Sequence, residues 1–282
     1  MSMTLFNLTH ELARLLGVVS EGVATGGDTD TILDSVERTE ANDFWNGGTA
    51  WITYDSAGLG AAPQGEYSFV SDFANTGGDI SLRTALTASV AANDRYAIAG
   101  LRYPLHLLIQ KTNEVLRTIP IQKDDITTVT IAASQTEYSL PADVWELKQV
   151  WLQRNTDDSN DNDFSRIYDY HIKKAATGTA NVLMLDRQFD TDVILKLVYL
   201  TDHQVLRVAT DKLDDTIHIN RVLYDAAVRC LLWYKSKVGD SDTSVNDLLN
   251  LYQGMAQDMN NRFAVEYPKK SARTIHLNFN RP

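Results

Sequence analysis

The acidic run Asp157-Asp158-Ser159-Asn160-Asp161-Asn162-Asp163 comes nearest in this sequence to a set of metal ligands. Asp157, Ser159 and Asp161 take alternate positions, as the oxygen donors of an EF-hand calcium loop do. Two requirements of that loop fail. Asn162 replaces the glycine of its sharp turn, and Tyr168 stands where the bidentate glutamate belongs. The run reads as a solvated surface loop, with a weak, irregular cation site as the other reading. The histidines His10, His106, His171, His203, His218 and His276 form no His-Glu-x-x-His pair and have no cysteine partners, so zinc has no support. Cys230, the single cysteine, lies on an apolar helical face where a thiolate nucleophile would not form, and there is no Gly-x-Ser-x-Gly elbow. Carboxylates are plentiful, but an acid–base pair is defined by a spatial separation that sequence does not give. No catalytic residue, cofactor or metal is therefore expected.

Two other groups invite a binding reading. Ser56-Ala57-Gly58-Leu59-Gly60 is glycine-rich, but it lacks both the Gly-Lys-Ser/Thr ending of a phosphate loop and a full dinucleotide fingerprint leading into a helix. Trp45, Trp51, Tyr54 and Tyr67 would suit a carbohydrate platform, although aromatics at strand spacing more often pack a sheet or core.

The elements that would position such residues are clearest near the C-terminus. Between Thr216 and Phe263, Ile219, Val222, Leu223, Ala226, Ala227, Cys230, Leu231 and Tyr234 recur at three-and-four spacing. Val245, Leu248, Leu249, Tyr252, Met255, Ala256, Met259 and Phe263 repeat that pattern, and both stripes are expected to be buried. Gly239-Asp240-Ser241-Asp242 joins a glycine stop to capping residues, which predicts an antiparallel helical hairpin. Thr4 caps a first helix striped by Leu5, Leu8, Leu12, Leu15 and Leu16 and ended by Gly17. Pro104 fits the first turn of another helix, lined by Leu105, Leu108, Ile109, Thr112, Val115 and Leu116 and stopped by Pro120.

From Val18 to Gly100, glycine-marked turns separate short apolar runs near Thr31–Val36, Thr49–Tyr54, Glu66–Phe73, Asp79–Leu82 and Arg95–Ala99, a small β module. Val144–Leu152, Val182–Leu185 and Val193–Leu200 read as further strands, and Ser165–Lys174 as a short helix or turn. The predicted fold is α+β: a helical core of N-terminal helix, central helix and C-terminal hairpin, with a small sheet and an inserted all-β module. Residues 1–17 and 101–264 would form the core, 18–100 the inserted module and 265–282 an extended C-terminal arm.

That final segment is basic in an acidic chain of net charge −11. Lys269, Lys270, Arg273 and Arg281 interleave with Tyr267, Ile275, Leu277 and Phe279, and the last three alternate as one face of a strand does. It reads either as a frayed end or a strand returning to the chain's own sheet, or as an arm that docks on a neighbour by strand addition. The acidic balance argues against a nucleic-acid groove binder. The absence of a run of about 20 apolar residues argues against a membrane helix, and the N-terminus lacks the pattern of a signal peptide.

The order of parts resembles structural proteins of tailed bacteriophages. It is carried by the leucine-striped N-terminal helix, the β insertion with Ala24-Thr25-Gly26-Gly27, Phe44-Trp45-Asn46-Gly47-Gly48-Thr49 and Asn93-Asp94-Arg95-Tyr96, and the closing hairpin. The turn Thr136-Glu137-Tyr138-Ser139-Leu140-Pro141-Ala142-Asp143-Val144 leading into Val150-Trp151-Leu152 adds to it. More narrowly, the helices look like those of head-to-tail connector, or neck, proteins. The resemblance implies a non-enzymatic virion protein made in a bacterial cytoplasm. It would form a homo-oligomeric ring of about twelve copies with the closed symmetry common to such assemblies. Its partners would be the portal and tail or neck components, and DNA would pass through without specific binding. The alternative is a tail appendage that binds receptor glycans through the β module.

Overall fold

The structure is a computed structural model that describes residues 3–126, 129, 131–132, 135–153, 164–173, 181–189, 194–238 and 242–263. It divides into two compact units: Met1–Ile119 with Gln204–Ala264, and a second unit built on residues 120–203 between them.

The first unit opens with α1 (Leu5–Leu15). Thr4 Oγ accepts the Asn7 amide at 3.3 Å, satisfying one of the helix's free donors, and Leu5, Leu8 and Leu12 bury the stripe. Gly17, at φ 65°, ends the helix: its amide reaches the Arg14 carbonyl at 2.9 Å and the Val18 amide reaches that of Ala13 at 3.2 Å. Among the described residues, no atom beyond the flanking ones lies within 4 Å of a Cβ added at Gly17. Gly17→Ala is therefore expected to lose only the left-handed backbone preference, about 1–2 kcal/mol in a denaturant titration. A larger loss would mean that the turn also carries packing.

The β module follows as β1 (Val19–Val23), β2 (Gly26–Gly27), β3 (Thr31–Leu33), β4 (Thr49–Tyr54), β5 (Tyr67–Ala74), β6 (Asp79–Leu82) and β7 (Arg95–Ala99). Their order in the sheet is β1-β7-β4-β5-β6-β3-β2, every pairing antiparallel. Since β1 and β2 lie on one stretch of chain, the sheet begins and ends on residues 19–27 and closes into a barrel. Closure removes free edges, which short strands of this kind would otherwise expose. Strand β5 serves two neighbours, pairing Phe69 with Thr49 on β4 and Phe73 with Ile80 on β6, with a bulge between Val70 and Asp72. Alternation sends Ile32, Ile52, Val70, Phe73, Ile80, Leu82, Tyr96 and Ile98 into one buried cluster.

The chain then forms α2 (Leu105–Leu116), where Pro104 occupies the N-cap rather than the first turn. After the second unit come α3 (Ile219–Val238) and α4 (Thr243–Arg262). The Asp242 carboxylate caps α4 by accepting the Ser244 and Val245 amides at 3.1 and 3.4 Å. Arg221 of α3 donates to Asn260 of α4 at 2.7 Å, and the Tyr252 hydroxyl donates to the Leu15 carbonyl at the end of α1 at 2.6 Å. The hairpin link Gly239-Asp240-Ser241 lies outside the described residues.

The second unit contains β8 (Pro120–Asp125), β9 (Glu137–Ser139), β10 (Glu146–Gln153), β11 (Phe164–Ile167), β12 (Tyr170–Lys173), β13 (Val182–Leu185) and β14 (Leu195–Asp202). They make a four-stranded sheet, β11-β10-β14-β8, and a three-stranded sheet, β12-β13-β9. Both contribute to one core that includes Tyr138, Leu147, Val150, Ile167, Leu183, Leu185, Leu195, Leu197 and Tyr199. Residues 165–173, expected as a short helix or turn, lie mostly in β11 and β12.

The expected α+β fold, a helical core with a small sheet, is corrected by this architecture. The described residues form 14 strands in three antiparallel sheets and four helices, 31% strand against 27% helix. The reason lies in signal strength. A 20-residue helix repeats its apolar period over five turns, whereas strands of two to eight residues repeat theirs a few times at most. The helices therefore dominate the pattern while the strands hold more of the chain.

Candidate functional site

The residues singled out for chemistry are not brought together. His171 pairs with Asp186 at 3.1 Å, His106 packs on Phe69, and His218 stacks on Phe263 with ring centres 4.0 Å apart. Among the described residues no group of three or more His, Cys, Asp or Glu side chains is placed to hold a metal ion. Cys230 is buried on α3, and burial pushes its thiol up to about 12, far from a thiolate. The acidic run 157–163 and the arm residues Tyr267, Lys269, Lys270, Arg273, Ile275, Leu277, Phe279 and Arg281 lie outside the described residues.

The glycine-rich turn at 56–60 uses its amides internally. Ser56 N–H donates to Asp94 at 2.8 Å and Ala57 N–H to Asp55 at 2.7 Å, so two donors a phosphate would need already serve carboxylates. Of the four aromatic platform candidates, Trp45 and Trp51 are 8% and 1% exposed and belong to the interior, while Tyr54 and Tyr67 lie at the surface. The two largest rings are thus unable to stack on a sugar. Alternation alone could not tell which aromatics are covered, because Trp45 joins the barrel's interior cluster while Trp51 is packed against His10 of α1.

The strongest electrostatic feature is one the sequence did not single out. Arg38, only 3% exposed, donates from Nε to the Tyr96 hydroxyl at 2.5 Å, from Nη1 to Ser20 at 2.7 Å and Glu40 at 3.3 Å, and from Nη2 to the Glu21 carbonyl at 2.9 Å. Tyr96 donates in turn to Asp34 at 2.7 Å, and Asp34 accepts the Val36 and Glu37 amides at 3.2 and 2.9 Å. Burial drives the Tyr96 phenol well above its usual range, so it stays a neutral donor. This network links β1, the turn after β3 and β7. The guanidinium, the phenol and the Asp34 carboxylate are buried and all hydrogen-bonded, which reads as a fastening of the barrel rather than a reaction centre. Nothing in the local sequence around position 38 points to this, and only the register that sets β1 beside β7 encloses the charge.

Two surface features remain. One is a cavity of about 420 Å³ walled by Leu5, Phe6 and Thr9 of α1, by Leu105 and Ile109 of α2, by barrel residues 65–67 and 85–87, and by Arg207, Val208 and Ala209. Its lining is mainly apolar. Glu66 accepts from the Thr87 amide at 2.7 Å and from the Thr87 hydroxyl, and Thr9 donates to the Leu5 carbonyl at 2.9 Å. Both threonine hydroxyls are thus engaged, Thr87 with Glu66 and Thr9 with a helix carbonyl, and the mainly apolar walls suit an apolar occupant.

The other is on α4. Its stripe splits: Val245, Leu249, Tyr252 and Ala256 are buried, but Leu248 and Met255, with Leu251 from outside the stripe, are 36%, 37% and 51% exposed. At spacings of three and four, these three form an apolar ladder on one outward face. Leu248, Met255 and Phe263 were expected on the buried face. They are not, because those eight apolar positions make a stripe wider than one partner helix covers. Arg262 and Asp258, paired at 2.9 Å, lie further along the same helix. The excess width was the signal available in the sequence.

In comparison with known proteins, the chain matches no protein-family model and no curated sequence.

Proposed function

We propose that this chain is a non-enzymatic assembly protein of a tailed-bacteriophage particle, a head-to-tail adaptor whose copies form a ring that joins portal to tail and continues the DNA channel. The observation that carries this reading is the exposed ladder of Leu248, Leu251 and Met255 on α4. Three large apolar side chains aligned on one outward helix face are an arrangement that protein contacts bury. In a closed ring each copy meets the next through two different faces, and the ladder supplies one of them. The chain's charge of −11 fits a channel that lets DNA slide, since phosphate attachment depends on Lys and Arg. The basic segment around Lys269, Lys270, Arg273 and Arg281 would reach the neighbouring component, with Tyr267, Ile275, Leu277 and Phe279 as its apolar contacts. The protein would be made in the bacterial cytoplasm and reside at the virion neck.

The test is the mass of the full chain in solution, with and without the portal component, by native mass spectrometry. A closed oligomer, alone or only on the portal, is expected. Leu251→Asp should keep the monomer's melting temperature, because the side chain is half exposed, yet weaken association by at least about tenfold, as removal of a central contact does. A wild-type monomer indifferent to the portal, or unchanged assembly of the variant, would sink the reading.

A further inference from the structure

His10 sits where α1 faces the barrel, and its surroundings fix its protonation state. Trp51 Nε1, which can only donate, lies 3.3 Å from His10 Nδ1. Nδ1 must therefore be the acceptor, which puts the single proton of the neutral ring on Nε2. That nitrogen is 3.2 Å from the Glu21 carboxylate on β1. The ring lies edge-on to Trp51 of β4 at 6.1 Å and parallel to Phe6 at 6.3 Å. Each nitrogen is thus spoken for by the barrel. A second proton has nowhere to go, since it would point Nδ1–H at the Trp51 N–H.

The charged groups around the ring are three. Glu21 faces it from β1, and Arg14 and Glu11 flank it on α1; β4 offers Trp51, which does not titrate. Arg14 binds Glu21 at 3.0 Å and Glu11 at 3.5 Å, so much of the carboxylates' pull on a charged ring is already spent. Burial, the largest influence, holds His10 below the usual histidine value of 6.5.

The rest of the α1–barrel seam is loosely filled. Phe6 and Thr9, on the turns next to His10, form a wall of the 420 Å³ cavity, with barrel residues 65–67 opposite. Leu8 and Leu12 of α1 are fully buried, and the Leu5 and Phe6 amides are held by the carbonyls of Asp211 and Ala209 at 2.8 and 3.2 Å. The helix is therefore also anchored outside the barrel, and His10 joins the two beside the Arg14–Glu21 pair.

We propose that His10 is a pH-operated latch, whose protonation breaks the Trp51 contact and releases the Phe6 edge of α1 from the barrel, opening the cavity beside it. The sign follows from linkage. A base whose value is depressed in the closed state binds its proton more tightly once the seam opens. Closure is at full strength above about pH 6.5 and weakens as pH falls through that value toward the depressed one, by no more than tenfold per pH unit for a single proton.

The experiment is amide hydrogen exchange on the full chain between pH 7.5 and 5, with rates normalised for the intrinsic chemical dependence and Trp51 fluorescence followed in parallel. Amides from Leu8 to Leu12 are expected to exchange severalfold faster at the acid end, while those of Tyr96 and Ile98 inside the barrel keep their protection. His10→Asn, whose amide oxygen accepts as Nδ1 does but does not titrate, should abolish the pH dependence. Glu21→Gln retains an acceptor but removes the charge that favours a protonated ring, so its transition should move to lower pH. This second variant decides the matter if the first fails to fold. Flat protection in the wild type, an unaltered acid response in His10→Asn, or an unmoved transition in Glu21→Gln would each overturn the latch.

Discussion

Gly78→Ala should collapse the barrel, with a loss above about 3 kcal/mol, at the severe end for a single substitution. Gly78 follows β5 in the turn to β6 at φ 60°, and a Cβ there would lie 1.9 Å from the Asp34 carbonyl oxygen and 2.6 Å from its carbon. Those are backbone atoms with no rotamer to change, so relief requires one strand end to move. Moving it breaks the 3.0 Å bond from the Asp34 amide to the Gly78 carbonyl, and with it the turn that seats Asp34. Left-handed backbone adds about 1–2 kcal/mol more. Thermal unfolding followed by circular dichroism, beside Gly17→Ala, separates the two effects, since the Gly17 site has the strained φ without the collision. Equal losses in the two variants would show that the turn at Gly78 yields.

Asp34→Ala is expected to cost about 3–5 kcal/mol, the range for removing one partner of a buried ion pair. Asp34 is fully buried and its carboxylate lies 3.8 Å from Arg38 Nε, with the Tyr96 hydroxyl bridging the two. Its loss strips that hydroxyl and the Val36 and Glu37 amides of their acceptor at once and leaves Glu40 as the one carboxylate paired with the guanidinium among the described residues. Tyr96→Phe removes only the bridge and should lose about 1–3 kcal/mol. The decisive comparison is a double-mutant cycle. Asp34→Ala combined with Arg38→Met should be less damaging than the sum of the two single changes, because the second removes the charge that the first strands. Strict additivity would mean that Asp34 acts through its turn alone.

What could be read in advance was what the chain states locally. Thr4 and Gly17 mark the ends of α1, and Asp242 caps α4, because each answers to its own backbone. The barrel's closure was not legible. Nothing in Val19-Ser20-Glu21-Gly22-Val23 announces that these residues pair with Ala99 back to Arg95, some 70 to 80 positions away. The same gap hid Arg38, whose partners Ser20, Glu21 and Tyr96 meet only after closure, and His10, whose contacts at 21 and 51 share no spacing with it. On α4, by contrast, the misassigned Leu248 and Met255 were errors of width in a stripe that was itself visible. A helix face can be counted from sequence, but how much of it a partner covers cannot.

The register of β8 with β14 has a bearing on how such a chain is put together. Pro120 stands opposite Asp202 and Ile121 opposite Thr201, so the unit formed by residues 120–203 starts and finishes on neighbouring rungs of one ladder, about 5 Å apart in an antiparallel pair. A segment whose two ends are that close interrupts its host as a parenthesis interrupts a sentence: the chain on either side resumes almost where it left off. The host can therefore gain, lose or exchange the whole passage with a splice no longer than a tight turn, and the two parts are free to diverge at separate rates.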